Sequence, residues 1–262
     1  MLARRIAVHL TDLGQPFKKA LHTVARLGAG AVQIEARGEL KPGVLTRTGL
    51  RHVRKMLEDL DLRVGAVSFP TRRGYNVLED LDRRVKATRD AMRMAHQLGA
   101  QVVVNQVGRV PEEAEGSDWS LLLDVLSELG HFGQHEGVML AAETGSEPAS
   151  HLARLMDHLP LGCGAVTLNP GNLIVNGFSG LEAAGMLGPY VRHVHARDGV
   201  RDLARGRGLE VPLGQGRADF PQLIATLEEH DYRGCFAIQR PNSTQPESEL
   251  ATAVAYLKNM GN

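Results

Sequence analysis

The chain has 262 residues, 43% of them hydrophobic, and its 30 basic and 30 acidic side chains cancel. That length and apolar content suit a large α/β core and exclude a disordered chain, while the balanced charge excludes a global field acting on nucleic acid or an anionic membrane. Two cysteines, Cys163 and Cys235, are too few for a disulfide framework and read as buried thiols, and no stretch approaches the roughly 18 apolar residues of a membrane span.

"MLARRIAVHL" lacks the apolar core of a signal peptide, so a cytoplasmic chain is expected. Its end, "RRIAVHL" (4–10), is the first strand candidate. Phe17, Ala20, Leu21, Val24 and Leu27 then form a helical stripe, opened by Pro16 and closed by Gly28. "AVQIEA" (31–36) precedes a second stripe of Leu50, Val53, Leu57 and Leu60. "RVGAVSF" (63–69) and "QVVVNQV" (101–107) follow, then a helix carrying Leu121, Leu122, Val125, Leu126 and Leu129. Next come "GVMLAAE" (137–143), "CGAVTLN" (163–169), a capping box from Ser179 to Glu182, and "VRHVHAR" (191–197). A helix starts after Asp219, "GCFAIQ" (234–239) is the last strand, and "PESELATAVAYLKNM" the last helix. Strands this apolar are covered on both faces, as parallel strands are. Eight strand–helix repeats in about 250 residues predict a single (β/α)8 TIM barrel, one domain over 1–262. An open doubly wound sheet is the alternative, but "HLTDLGQPF" is no G-x-G-x-x-G turn.

Side chains alternate along a strand, so one parity faces the barrel interior. The parity that reads polar at the strand ends gives His9, Glu35, Ser68, Asn105, Glu143, Asn169, His195 and Gln239, with apolar neighbours such as Val104 and Leu168 on the other. Active sites of this fold lie at that carboxyl face, so the ring is expected to line a ligand site. Loops at the same mouth carry arginines: Arg72, Arg73, Arg109, Arg201, Arg205, Arg207, Arg217 and Arg240, with Arg197 one layer above His195. Guanidinium groups suit a phosphate or carboxylate. The competing reading pairs them with Asp198, Asp202 or Glu210. His131 and His135 read as solvated, His193 as a core histidine, and Trp119 as packing at a helix start.

"AAETG" (141–145), "NPGNL" (169–173), "VRHVHARD" (191–198), "EVPLGQGRADFP" (210–221) and "FAIQR" (236–240) resemble the xylose-isomerase-like TIM-barrel superfamily, in its sugar phosphate isomerase/epimerase-like branch. In that family Glu, Asp, His and Glu, ending the fifth to eighth strands, typically hold one divalent metal on the substrate's oxygens. By resemblance, Glu143, Asn169, His195 and Gln239 occupy the metal positions, and Asn172 fits the branch pattern. Asn169 and Gln239 stand where carboxylates are usual, which leaves a site of one charge instead of three. Neutral amides hold a hard cation poorly. No firm cofactor is therefore expected, only a weakly bound divalent metal (Mn, Mg or Zn).

The resemblance implies a protein of carbohydrate metabolism, isomerase- or epimerase-like, acting by proton abstraction on a small polyol, sugar acid or sugar phosphate. Glu143 would be the base and His195 the polarising group. His9, Glu35, Ser68, Asn105, Asn169, Asn172, Arg197, Arg201, Arg217, Gln239 and Arg240 would bind the ligand. The alternatives are a non-catalytic binding protein for an anionic sugar-like ligand and a dehydratase or lyase of the same fold. The expected partner is a small anionic or polyhydroxy molecule, not nucleic acid or membrane, and a homo-oligomer is compatible with the chain.

Overall fold

The computed structural model describes residues 5–202 and 208–260. Its strands are β1 (Ile6–His9), β2 (Ala31–Glu35), β3 (Arg63–Ser68), β4 (Val102–Asn105), β5 (Met139–Glu143), β6 (Val166–Leu168), β7 (Val191–Ala196), β8 (Asp198–Val200), β9 (Leu209–Val211) and β10 (Phe236–Ile238). All but β8 and β9 run parallel in one closed barrel, in which β10 follows β7 and closes onto β1. Around it lie α1 (Phe17–Leu27), α2 (Arg47–Glu58), α3 (Leu81–Gln97), α4 (Ser117–Glu136), α5 (Ala149–His158), α6 (Pro170–Val175), α7 (Gly180–Leu187), α8 (Phe220–Glu229) and α9 (Pro246–Asn259). The barrel expectation holds. No helix among the described residues is long and apolar enough to cross a membrane.

Two features go beyond the sequence reading. The segment between β7 and α8, residues 197–219, contains an antiparallel hairpin, β8 with β9. The "NPGN" turn is the start of α6. Asn169 is its N-cap, Pro170 its first residue, and the Asn169 side chain accepts the Asn172 N–H at 3.0 Å.

One parity fills the interior with small residues. Ala7, Ala31, Cys235 and Ala237 form one cluster; Ala66, Val102, Val104, Ala141 and Ala165 form another. Ile6, Val8, Ile34, Val67, Val103, Leu168 and Ile238 face the helix layer instead. β3 reaches its register by a bulge, since Val32 pairs with Val64 and Gln33 with Ala66. Gly65 is the residue passed over, and a Cβ there would come within 2.8 Å of the Cys235 sulfur.

β4 corrects one expectation. Val104 packs inside with Ala66 and Ala141, whereas Val103 belongs to the outer core, so Asn105 falls on the outward parity. Three successive valines carry no polar alternation from which a register could be read. The next inward position is Gln106, which is exposed at the mouth.

Candidate active site

The β6 end sets the centre. Asn169 is fully buried, its backbone N–H donating to Thr144 Oγ1 at 2.8 Å. The α6 cap requires an acceptor, so Oδ1 is fixed toward Asn172 and the amide nitrogen turns inward. Nδ2 donates to Glu143 Oε1 at 2.7 Å and lies 3.5 Å from His195 Nδ1. The same Glu143 oxygen accepts from His195 Nδ1 at 2.7 Å. His195 Nε2 meets the Gln33 amide at 3.0 Å and the Gln239 amide nitrogen at 3.4 Å. Gln33 in turn accepts from His193 Nε2 at 2.8 Å.

A closed polar chain therefore runs His193–Gln33–His195–Glu143–Asn169. Burial, with His195 and His9 nearby, pushes His193 well below the ordinary histidine range, so that ring is neutral core. Burial alone would raise the Glu143 carboxyl. Attraction to the His195 ring, the hydrogen bonds from His195 and Asn169, and the Arg197 charge outweigh it and bring the carboxyl down to about 2.

Above this chain lies a cavity of about 210 Å³. Glu35, Ser68, Glu143, His195 and Gln239 border it as expected, and His9, Asn172 and Arg197 also reach it. Asn169 does not line it, because it lies behind Glu143. Asn105 reaches the rim, but its amide donates to the Phe69 carbonyl at 2.5 Å. Sequence reasoning missed Asp12, which also borders the cavity. His9 Nδ1 is 2.9 Å from Asp12 Oδ1, and His9 Nε2 is 3.3 Å from Ser68 Oγ. Against a carboxylate Nδ1 acts as the donor, and Nε2 is turned toward the serine and the cavity. "HLTD", with its polar pair three apart at a strand end, was the available signal. Gln33 was available too, being the middle residue of the inward parity of "AVQIE".

The mouth arginines divide. Arg197 donates to Asn172 Oδ1 at 2.7 Å and to Glu210, and Gly171 lets it pack there, since a Cβ at 171 would meet the Arg197 backbone at 2.8 Å. Arg240 pairs with the same Glu210 at 2.7 Å and with Glu249 at 2.6 Å, while its backbone N–H donates to Asp12 at 2.5 Å. The Glu210 side chain is only 6% exposed and bridges both guanidiniums. These two arginines are thus paired within the fold, although Arg197 also borders the cavity. Arg201 and Arg217 are exposed, do not border the cavity, and Arg205 and Arg207 lie outside the described residues. Asp198 pairs with no arginine among the described contacts. Its two oxygens accept the backbone N–H groups of Gly199, Gly214, Gly216 and Ala218, which anchors the hairpin segment.

The sequence matches the xylose isomerase-like TIM barrel family over residues 21–260. A search of curated proteins gave no match. Among solved structures, a xylose isomerase domain protein from Planctomyces limnophilus is 24% identical with a TM-score of 0.85, over 98% of this chain and 96% of that one. A xylose isomerase-like TIM barrel protein from Mycobacterium smegmatis, in complex with magnesium, is 17% identical with a TM-score of 0.79, over 99% and 98%. A D-tagatose 3-epimerase-like protein is 18% identical with a TM-score of 0.78, over 98% of each chain. Sugar 3-epimerases and a probable dehydratase share the fold as well. At these identities the likeness establishes architecture alone.

Proposed function

We propose, for a chain that belongs to the xylose isomerase-like TIM barrel family, that the cavity at the barrel mouth binds a small sugar or polyol and moves a proton on it without a divalent metal. The donor set does not suit a cation at the four positions the family uses. The Asn169 oxygen is taken by the α6 cap and its N–H group points inward. Both ring nitrogens of His195 are engaged by protein groups, and Gln239 turns its amide nitrogen to that ring. Among the described residues, no group of three His, Cys, Asp or Glu side chains is placed to hold a metal.

The observation that carries the reading is the His9–Asp12 pair. β1 lies directly across the barrel from β5, so His9 faces the cavity from the side opposite Glu143. His9 Nε2, with Asp12 fixing the tautomer, is placed to accept a proton from carbon beside a carbonyl and return it. Glu143, held near 2, is a stable carboxylate with little tendency to take up a proton. It holds His195 in place through Nδ1, and with Nε2 against the Gln33 and Gln239 amides that ring has no free N–H for a carbonyl oxygen. Gln239 cannot exchange a proton, so the site has one mobile proton group. That suits an isomerase, where one base serves two adjacent carbons, or a dehydratase, better than an epimerase with acceptor and donor on opposite faces.

The test is deuterium uptake from D2O at the carbon next to the carbonyl, followed by NMR over a panel of ketoses and ketose phosphates with EDTA present. Uptake by the parent, lost in His9→Gln and unaffected by EDTA, is expected. Uptake that needs added magnesium or manganese, or that survives in His9→Gln, overturns the assignment. Saturable binding with no uptake would instead make this a binding barrel without turnover.

A further inference from the structure

The barrel mouth carries a second concave space besides the cavity. Beside the cavity, on the β3 side, runs a groove of about 550 Å³. Pro70 borders both, and the Arg37 guanidinium sits between them, 3.4 Å from Glu35 of the cavity and bonded to the Pro70 carbonyl.

The two neighbouring spaces carry opposite charge. The cavity is bordered by the carboxylates of Asp12, Glu35 and Glu143, with Arg197 as its one guanidinium, and that one is paired with Glu210. In the groove the arginines outnumber the acids, Glu79 and Asp80. Their partners can be traced one by one. Arg73 pairs with Glu79, and Arg84 donates to the carbonyls of Gly74, Val77 and Glu79. Arg72 and Arg83 are exposed and have no ion-pair or hydrogen-bond partner among the described residues. They flank the groove from two different elements, the loop after β3 and the first turn of α3.

We infer that this groove is the subsite for an anionic group, phosphate or carboxylate, on a ligand whose polyhydroxy body occupies the cavity, with Arg72 and Arg83 as the recognising residues. The inference rests on the cavity being the sugar site. Guanidinium pairs in fork geometry bind tetrahedral or planar oxyanions well. Arginines already locked to Glu210 would have to break buried pairs to do so, whereas Arg72 and Arg83 break none. An acidic cavity also repels a free anion, so the charged end of a ligand is directed outward to the groove. The substrate class this selects is a sugar phosphate or sugar acid over the neutral sugar.

Calorimetric titration compares D-fructose, D-fructose 6-phosphate and inorganic phosphate on the parent, on Arg72→Ala/Arg83→Ala and on His9→Gln, in EDTA. Both arginines are exposed, so the double variant should fold. The parent is expected to bind the phosphate ester at least tenfold more tightly than the neutral sugar. The double variant should lose that preference and keep its affinity for D-fructose. In parallel, inorganic phosphate should shift the Arg72 and Arg83 side-chain N–H signals in the parent's NMR spectrum. If neither sugar binds but phosphate still moves those signals, the sugar reading of the cavity fails and the anion subsite stands. If phosphate moves neither signal, or the ester preference survives in the double variant, the subsite is overturned.

Discussion

Replacing Asn169 by Asp tests the polarity of the centre directly. The new carboxylate keeps the α6 cap with one oxygen but turns its second oxygen toward Glu143 Oε1, where the amide nitrogen now donates across 2.7 Å. The variant loses a hydrogen bond to a charged group, worth about 1.5–3 kcal/mol. It also gains a like-charge contact that Coulomb's law at an effective dielectric near 20 puts at roughly 6 kcal/mol. The cost has a ceiling, because the pair can take up a proton. Protonating an aspartate of ordinary pKa about 3.9 at pH 7 costs about 4 kcal/mol, and the resulting O–H can donate to Glu143 again. A loss of about 2–4 kcal/mol follows, or a melting-temperature drop of roughly 4–8 °C for a chain of this size. The sign with pH is fixed. The folded-state pKa of the introduced carboxyl is raised, so the penalty is largest at neutral pH and shrinks as pH falls toward 4. Scanning calorimetry in EDTA at pH 7 and pH 4.5 measures both. Adding Gln239→Glu should deepen the loss in EDTA and make manganese strongly stabilising, since three carboxylates and an imidazole then suit a divalent ion. An Asn169→Asp protein as stable as its parent in EDTA at pH 7 would refute the orientation assigned to the amide.

Three further outcomes follow from the same contacts. Gln33→Leu strips partners from His193 and His195 in a fully buried layer and should cost about 2–5 kcal/mol, read as a lowered urea midpoint; a change under about 1 kcal/mol would mean the chain of polar groups is not continuous. Arg197→Ala leaves Glu210 with Arg240 alone in a nearly buried position and should cost about 2 kcal/mol, checked by thermal melting. Glu143→Gln should flatten the acid limb of stability. In the parent the lowered Glu143 carboxyl contributes fully above pH 4.5 and the contribution is lost as pH falls toward 2, so equal slopes for parent and variant between pH 5 and 2 would contradict the pairing with His195.

The architecture was legible because parallel strands covered on both faces leave nearly continuous apolar runs, and glycines such as Gly28 and Gly137 mark helix ends in the left-handed region. Seven of the strand-end polar positions fell on the inward parity for the same reason: alternation survives wherever small and polar residues share a face, as in Ala7–His9 or Ala141–Glu143. It failed in β4, where Val102 to Val104 alternate in nothing. It was silent on Gln33 because a polar residue in mid-strand reads as an exception until its partners, two histidines on β7, are brought within 3.1 Å. The arginines were the weakest signal. Composition counted them against Asp198 and Glu210, but only packing shows that Asp198 serves four backbone N–H groups and that one Glu210 occupies two guanidiniums.

That division of labour among charges explains how Asn169 and Gln239 fit the site. A metal positioned by three carboxylates would hold its ligands apart around a cation. Here the amides of Asn169 and Gln239 each supply a donor to their neighbours, and the strand ends close on one another directly. Such a centre is rigid and pre-paired, so its own groups have little freedom to trade protons. On the proposed function, proton chemistry falls to a group outside the closed chain but on the same cavity. His9 is the histidine that meets both conditions, bordering the cavity with its Nε2 directed at Ser68 and its Nδ1 fixed by Asp12.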